Sequence, residues 1–467
     1  MHQRGQMGLV SQKVKSLNKP VPRTYKRANP DAVRLLVFDL LTEVNRSDGY
    51  SNLLLPQALG ASKFDDRDKG FATELLYGTL RMQGRHDWIL AQVSNRPWDQ
   101  VDPGVIDVAR MALQQIHEMR VPDHAAVSAS VDIARKRLGE AQGSFLNALL
   151  RAVLKKSLSE WLAPLEHMKD PIERLAIQYS HPQWIVSAYF DLLKNQDDVT
   201  AALIANNIPA QPTLVSWPGR STQAELIELG GVPTEFSPYG ARLSGSPGSI
   251  AAIRDRRAGV QDEGSQLVAQ IFASVCQNAT DWLDLCAGPG GKAALISSIA
   301  ALGNHTFTAN EISQPRANLV SQVVDFGEVI VGDGRDIHKN GRTYDAILAD
   351  VPCTGLGALR RRPEVRWRRT LADLRTLTDL QIELSDAAIS VLNQDGFFAY
   401  VTCSPHLAET KFQVSAILKK HPELKKIDLR SFLPNGLVSA NDDGSLLLWP
   451  QIHNTDAMFM TIFQKSS

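Results

Sequence analysis

From about residue 260 the chain repeats one pattern: a short apolar run, an abrupt polar or glycine-rich break, then a helix-like stretch. The runs are "TDWLDL" before "CAGPGG", "HTFTAN" before Glu311, "GEVIV" before Gly332-Asp333-Gly334, "YDAILA" before Asp350 and "GFFAYV" before "TCSP". Continuous apolar strands alternating with helices imply a parallel sheet buried on both faces. Ligands of such sheets sit beyond the carboxyl ends of the strands. Asp284, Glu311, Asp333, Asp350 and Cys403 are therefore expected along one rim.

The preceding part has a different rhythm. "NPDAVRLLVFDLLTEV" opens a helix, with Asn29 as N-cap, Pro30 at the first helical position and Val33, Leu36, Leu40 and Val44 on one face. Helical spacing recurs over 105–119, 127–138 and 146–153, so residues 30–165 are expected to form an all-helical domain. "KDPIERLAIQYSHPQWIVSAYFDLL" reads as a helical pair broken at Pro182, and the Pro- and Gly-rich texture after it suggests a small α/β connector over 166–258. Residues 259–467 form the expected α/β, Rossmann-like domain, and residues 1–29 read as a disordered basic arm.

Fifty basic and fifty acidic residues leave no net charge, which argues against a uniformly basic nucleic-acid binder. Two local clusters stand out: residues 1–34, with Asp31 as their single acid, and "RRRPEVRWRR" from Arg360 to Arg369. Such clusters can be an electrostatic footprint for phosphate or simply a solvated face. The four cysteines, Cys276, Cys286, Cys353 and Cys403, form no CxxC pair, so neither a disulfide framework nor a metal site is expected. No stretch approaches the ~20 apolar residues of a membrane helix. A cytoplasmic monomer with no membrane partner is the expectation.

"DLCAGPGGKA" carries the glycines for a tight strand-to-helix turn, Gly288, Gly290 and Gly291. It is neither a Walker loop nor G-x-G-x-x-G, since Ala293 stands where the third glycine belongs. A nucleoside smaller than a dinucleotide fits better. An acid about 20 residues past such a turn commonly takes a ribose diol; here that is Glu311. Asp333 in "GDGR" is placed to receive an adenine amino group, or merely to shape its turn. S-adenosylmethionine needs no phosphate site, and its carboxylate would use the glycine turn or Lys292. The expected cofactor residues are thus Asp284, Cys286, Ala287, Gly288, Pro289, Gly290, Gly291, Lys292, Glu311, Asp333 and Asp350.

A buried free cysteine is usually a small core hydrophobe. Two of them at strand ends on one expected rim, Cys353 in "ADVPCTG" and Cys403 in "VTCSP", shift the balance toward chemistry, with Arg360, Arg361 and Arg362 as nearby cations.

"DLCAGPGGKA", "DVPCTGLGALRRRPEVRW" and "VTCS" resemble the cofactor and catalytic motifs of RNA cytosine-5 methyltransferases, and "AGVQDEGSQLV" resembles their lead-in. "DRDKGFATELLYGTLR" and "FLNALLRAVL" resemble a NusB-like RNA-binding domain. Together they resemble the RsmB/Fmu/Sun family of bacterial 16S ribosomal RNA cytosine-5 methyltransferases. That family usually has Asp where this chain has Glu311, and "VTCSPHLAE" carries Leu407 and Ala408 where relatives often have Pro or Glu.

The resemblance implies S-adenosylmethionine as cofactor and 16S ribosomal RNA as substrate. It implies Cys403 as the nucleophile on cytosine C6, Cys353 as the residue that assists release, and Asp350 as the group that assists at N3. Spacing alone does not choose between the thiols, because DNA cytosine-5 methyltransferases attack with the Pro-Cys cysteine. The basic stretch, Arg360, Arg361, Arg362 and Arg366, is expected to hold RNA phosphates, and Trp367 either to stack on a base or, the favoured reading, to pack in the fold. The alternatives are a transfer-RNA cytosine-5 methyltransferase and a non-catalytic NusB-like RNA-binding factor.

Overall fold

The computed structural model describes residues 30–47 and 49–466, so the expected basic arm lies outside the described residues. The first helix, Ala32–Arg46, begins later than the sequence suggests. Asp31 is its N-cap, with the carboxylate accepting from Arg34 N at 2.8 Å. Helices Asp66–Arg81, Pro103–His117, Asp123–Arg137 and Glu140–Val153 pack with it around Val37, Leu41, Leu75, Val108, Ala112 and Leu150. Pro103 sits in the first turn of its helix, where the Asp102 carboxylate takes the free N–H groups of Gly104 and Val105.

Helices Pro171–Gln178, Gln183–Leu193 and Gln196–Asn207 follow, and the break at Pro182 is where the sequence places it. Their apolar faces do not join the helical domain. Leu175, Ile185, Tyr189 and Leu203 share one core with Leu283, Ile347 and Tyr400 of the large sheet. The connector then forms a four-stranded antiparallel sheet from β1 (Thr213–Ser216), β2 (Val232–Pro233), β3 (Gly240–Arg242) and β4 (Ala258–Val260), in the order β2-β3-β1-β4. Strand β4 belongs to the lead-in that the sequence reading assigns mostly to the catalytic domain, yet it pairs with β1 in the connector.

The large sheet contains β5 (Asp281–Asp284), β6 (Thr306–Glu311), β7 (Glu328–Val331), β8 (Tyr344–Asp350), β9 (Leu392–Thr402), β10 (Leu424–Lys426), β11 (Leu446–Leu447) and β12 (Phe459–Lys465). Its order is β10-β12-β9-β8-β5-β6-β7, with β11 beside β12. The strands from β9 to β7 run parallel, whereas β12 runs antiparallel to β9. Strand order reverses between β5 and β8, so the crevice there is where such a sheet binds ligands. One face is covered by helices Glu263–Val275 and Gly291–Leu302, the other by Leu371–Ser390 and the 171–207 helices. Helix Leu371–Ser390 opens with a capping box between Thr370 and Asp373.

Candidate active site

Asp284 ends β5 and Asp350 ends β8, on adjacent strands at the crevice. The glycine turn lies between β5 and helix Gly291–Leu302. A Cβ on Gly288 would fall 2.2 Å from Glu311 Oε2, and Gly290 has φ +109° with Val323 Cγ2 2.8 Å from any added Cβ. Both positions therefore require glycine. Glu311, at the end of β6, is buried. Its Oε2 accepts from Gly288 N at 3.1 Å, and its Oε1 accepts from Ser313 N and Arg316 Nη2. The acid thus braces the turn. The turn backbone, Glu311 and the neighbouring carboxyl groups of Asp284 and Asp350 suit a nucleoside donor that carries positive charge. Asp284 is pushed up to about 7 by burial, with the Asp350 carboxylate adding to it. A cation bound beside it relieves that cost.

Lys292, in the first turn of the helix that follows the glycine turn, is paired with an acid. Its Nζ donates to Asp350 Oδ2 at 2.7 Å. Burial pushes its pKa down, but the Asp350 carboxylate and this hydrogen bond outweigh burial, so the ammonium is held charged above its usual range. The same cation acts on Cys403.

Cys353 and Cys403, from the loops after β8 and β9, bring their Sγ atoms to 3.3 Å, and both are half-buried. The hydrogen bond from the Cys353 thiol lowers the Cys403 pKa; burial and Asp350 oppose this, while Lys292 and Arg362 assist it. Cys353 is raised by the same hydrogen bond and by burial. The hydrogen bond thus favours the proton on Cys353 and eases ionisation of Cys403. Cys286 and Cys276 are pushed up by burial and remain thiols.

Beneath the thiols is a network that the sequence reading passed over. Glu409 is fully buried. Its carboxylate accepts from Thr354 N at 2.8 Å, from the Thr354 hydroxyl and from Gln381 Nε2 at 3.1 Å. Tyr400 Oη donates to Glu409 O at 2.8 Å, and Thr354 Oγ1 lies 3.1 Å from Ser404 Oγ. Thr354 follows Cys353 and Ser404 follows Cys403, so one buried acid fixes both loops. Gly357 N donates to Cys403 O at 2.8 Å, a second tie between them. The only trace in the sequence is an acid a few residues past "VTCSP".

Asp333 caps the turn at Gly334 and pairs with the half-exposed Arg335 at 2.6 Å, with its own side chain still partly open. The basic stretch needs correction. Of the basic stretch, only Arg362 is exposed on the side of Cys403. Arg360 is buried against Asn454 and Asp456, and Arg361 is bridged to Asp262 at 2.6 Å and to Asp456 at 3.1 Å. Arg366 is completely buried. These arginines pair internally because each meets a carboxylate or carbonyl from another part of the chain, partners that a linear reading does not display. Trp367 packs, as favoured, with Nε1 donating to Leu80 O at 2.9 Å.

Among the described residues no group of three or more His, Cys, Asp or Glu is placed to hold a metal ion, and no helix is long and apolar enough to cross a membrane.

Comparison with known proteins agrees with this arrangement. Residues 272–464 match the family model for the 16S rRNA methyltransferase RsmB/F, and residues 31–155 match the NusB family. A putative methyltransferase of Mycobacterium tuberculosis is 38% identical over 96% of this chain and 99% of its own length. The ribosomal RNA small subunit methyltransferase B of Pseudomonas putida is 31% identical over 85% of this chain and 91% of its own. The crystal structure of PH0851 superposes with a TM-score of 0.78 at 19% identity, covering 94% of this chain and 100% of that one, a likeness of fold. The chain belongs to the RsmB/F family of 16S rRNA methyltransferases, enzymes that depend on S-adenosylmethionine, and carries a NusB-family domain ahead of its catalytic half.

Proposed function

We propose that this enzyme methylates C5 of a cytosine in 16S ribosomal RNA through a transient bond between Cys403 and C6. The observation that carries the reading is the thiol pair at 3.3 Å with the Lys292–Asp350 ion pair alongside, an arrangement that favours ionisation of Cys403. When bound, S-adenosylmethionine supplies an electrophilic methyl group.

Cytosine C5 is a weak nucleophile while the ring is aromatic. Addition of the Cys403 thiolate to C6 breaks that aromaticity and places electron density on C5 and N3, which divides a hard step into easier ones. The density at N3 requires a proton or a strong hydrogen bond. Asp350 is placed to assist at N3, with Lys292, whose Nζ donates to it at 2.7 Å, as the proton source behind it. After methylation the C5 proton leaves to solvent water, the N3 proton returns to the Lys292–Asp350 pair, the C6–S bond breaks and Cys403 departs as thiolate. Cys353, beside the departing sulfur, assists this release. Its thiol regains Cys403 as hydrogen-bond acceptor, restoring the resting pair. The base must be out of its stack for C6 to be reached. Arg362 is the member of the basic stretch that stays available to an RNA phosphate.

The test compares Cys403→Ala with Cys353→Ala on 16S RNA, with transfer RNA as a control. Cys403→Ala is expected to abolish methyl transfer, and Cys353→Ala to leave protein bound covalently to RNA on a denaturing gel. Trapping by Cys403→Ala would reverse the roles. Methylation of transfer RNA alone would transfer the proposal to the other substrate. Bisulfite sequencing of the product locates the 5-methylcytosine.

A further inference from the structure

The loop that carries Cys353 continues into a short helix, Val365–Arg368, whose polar side chains reach outside the catalytic domain. Glu364 is buried, and its carboxylate accepts from Ser51 N at 3.1 Å and Ser51 Oγ at 2.8 Å. Trp367 donates to Leu80 O, and its ring sits so close to Gly84 that an added Cβ there would fall 2.3 Å from it. Arg368 donates to the carbonyls of Val44 and Gly49. Arg366 lies at the centre. Its Nη1 donates to Asn207 Oδ1 at 2.8 Å and Ser180 O at 3.0 Å, and its Nη2 to Asn206 O at 3.2 Å.

These guanidinium acceptors are neutral. Burying a cation among carbonyls is a poor way to glue domains together, since well-packed apolar side chains stabilise as much or more. Directed N–H groups do fix orientation. The other end of the loop is just as constrained. Gly357 N donates to Cys403 O, Gly357 O accepts from Ala457 N at 2.9 Å, and Thr354 is held by Glu409. Between the sockets in the helical region and the thiol pair, the chain therefore has little slack.

We propose that Arg366 is a positioning residue: its docking against the helical region holds the Cys353 loop so that the two thiols stay in contact. The claim rests on the roles given above to Cys403 and Cys353. It adds that the NusB-family domain, which meets this short helix through Arg81 O at 3.5 Å from Arg366 Nη1 and through Ser51, Leu80, Val44 and Gly49 at the neighbouring side chains, is part of the catalytic geometry as well as a place for RNA. When the plug is displaced, Cys353 moves off Cys403, the thiolate loses its hydrogen-bond donor, and release loses its assistant.

The test uses full-length Arg366→Gln, Trp367→Phe and Ser51→Ala, each checked for folding by thermal melting. The first readout is the pH profile of Cys403 alkylation, resolved by mass spectrometry, which does not depend on RNA chemistry. Alkylation near neutral pH is expected to fall about 10-fold in Arg366→Gln as the profile moves to higher pH. The second readout is the ratio of covalent RNA adduct to turnover, expected to rise by about 10-fold or more, given what a 1 Å misplacement costs. Folded variants with the wild-type alkylation profile and the wild-type ratio overturn the proposal. If Arg366→Gln does not fold, the two single-hydrogen-bond variants decide by the same readouts. If the alkylation profile shifts while even the wild-type enzyme forms no adduct, positioning stands and the covalent mechanism is what fails.

Discussion

Replacing Lys292 by methionine separates two roles for one residue. The sequence offers it as a holder of the donor's carboxylate; the structure pairs it with Asp350 at 2.7 Å, near Cys403. Both partners are sheltered, with side chains 11% and 28% exposed, so the contact is a charge-assisted hydrogen bond that water only partly screens. Such a bond contributes about 1.5–3 kcal/mol. If that is expressed in the addition step, Lys292→Met lowers kcat about 10-fold to 150-fold. The pH dependence follows from the sign of the thiol shift. Lys292 helps to keep the Cys403 pKa below its ordinary value, so removing it raises that pKa and reduces the thiolate fraction at neutral pH. The variant should recover as pH rises, by about 10-fold per unit until the thiol is ionised, whereas the wild type levels off at lower pH. Initial rates of radiolabelled methyl transfer to 16S RNA, with donor concentration varied, measure both quantities. A variant with a raised donor KM but unchanged kcat and pH profile would refute the reasoning and return Lys292 to the donor carboxylate.

Three other outcomes are expected. Asp284, pushed up to about 7, is protonated in the folded protein at pH values where it is ionised in the unfolded chain, so donor-free stability should fall as pH rises through roughly 4 to 7. Donor affinity should rise up to about 10-fold per unit toward pH 7 and then flatten; calorimetry and melting, with Asp284→Asn removing both trends, check this. Gly357→Ala would place a methyl 2.0 Å from Ala457 O and 2.7 Å from Cys403 O, so the loops must part, with activity falling about 100-fold, read in the same transfer assay. Arg361→Ala leaves Asp262 and Asp456 buried without their main cation, which should cost about 3–5 kcal/mol. Denaturant titration reads that loss, and an unchanged salt dependence of RNA binding would distinguish an internal brace from a phosphate contact.

The catalytic strands were legible because a parallel sheet buried on both faces writes its strands as unbroken apolar runs, and each run ended where its polar residue was needed. Asp284, Glu311, Asp350 and Cys403 all lie at or just past such ends. What the sequence hid depends on distant pairing. Arg366 looks like its exposed neighbour Arg362, and partners more than 150 residues away, Arg81, Ser180, Asn206 and Asn207, make it an interior residue. Glu409 was opaque for the same reason: its meaning comes from Thr354 and Gln381, which the fold delivers from other segments. The pairing of β4 with the connector was not legible, because a three-residue edge strand carries almost no periodic signal and β4 is recognisable by its partner β1.

That edge strand has a practical consequence for dissecting the molecule. Two residues beyond β4, the Asp262 carboxylate accepts from Gly264 N at the start of its helix, from Arg361 and from Asp456 N, so the small sheet is spliced rather than tethered to the large one. A fragment starting at residue 259 would leave β4 without β1, β2 and β3 in one sheet and strip the cover of Ile185, Tyr189 and Leu203 from the other. The smallest piece able to stand alone should therefore start near residue 170, and inactivity of anything shorter would say nothing about its chemistry.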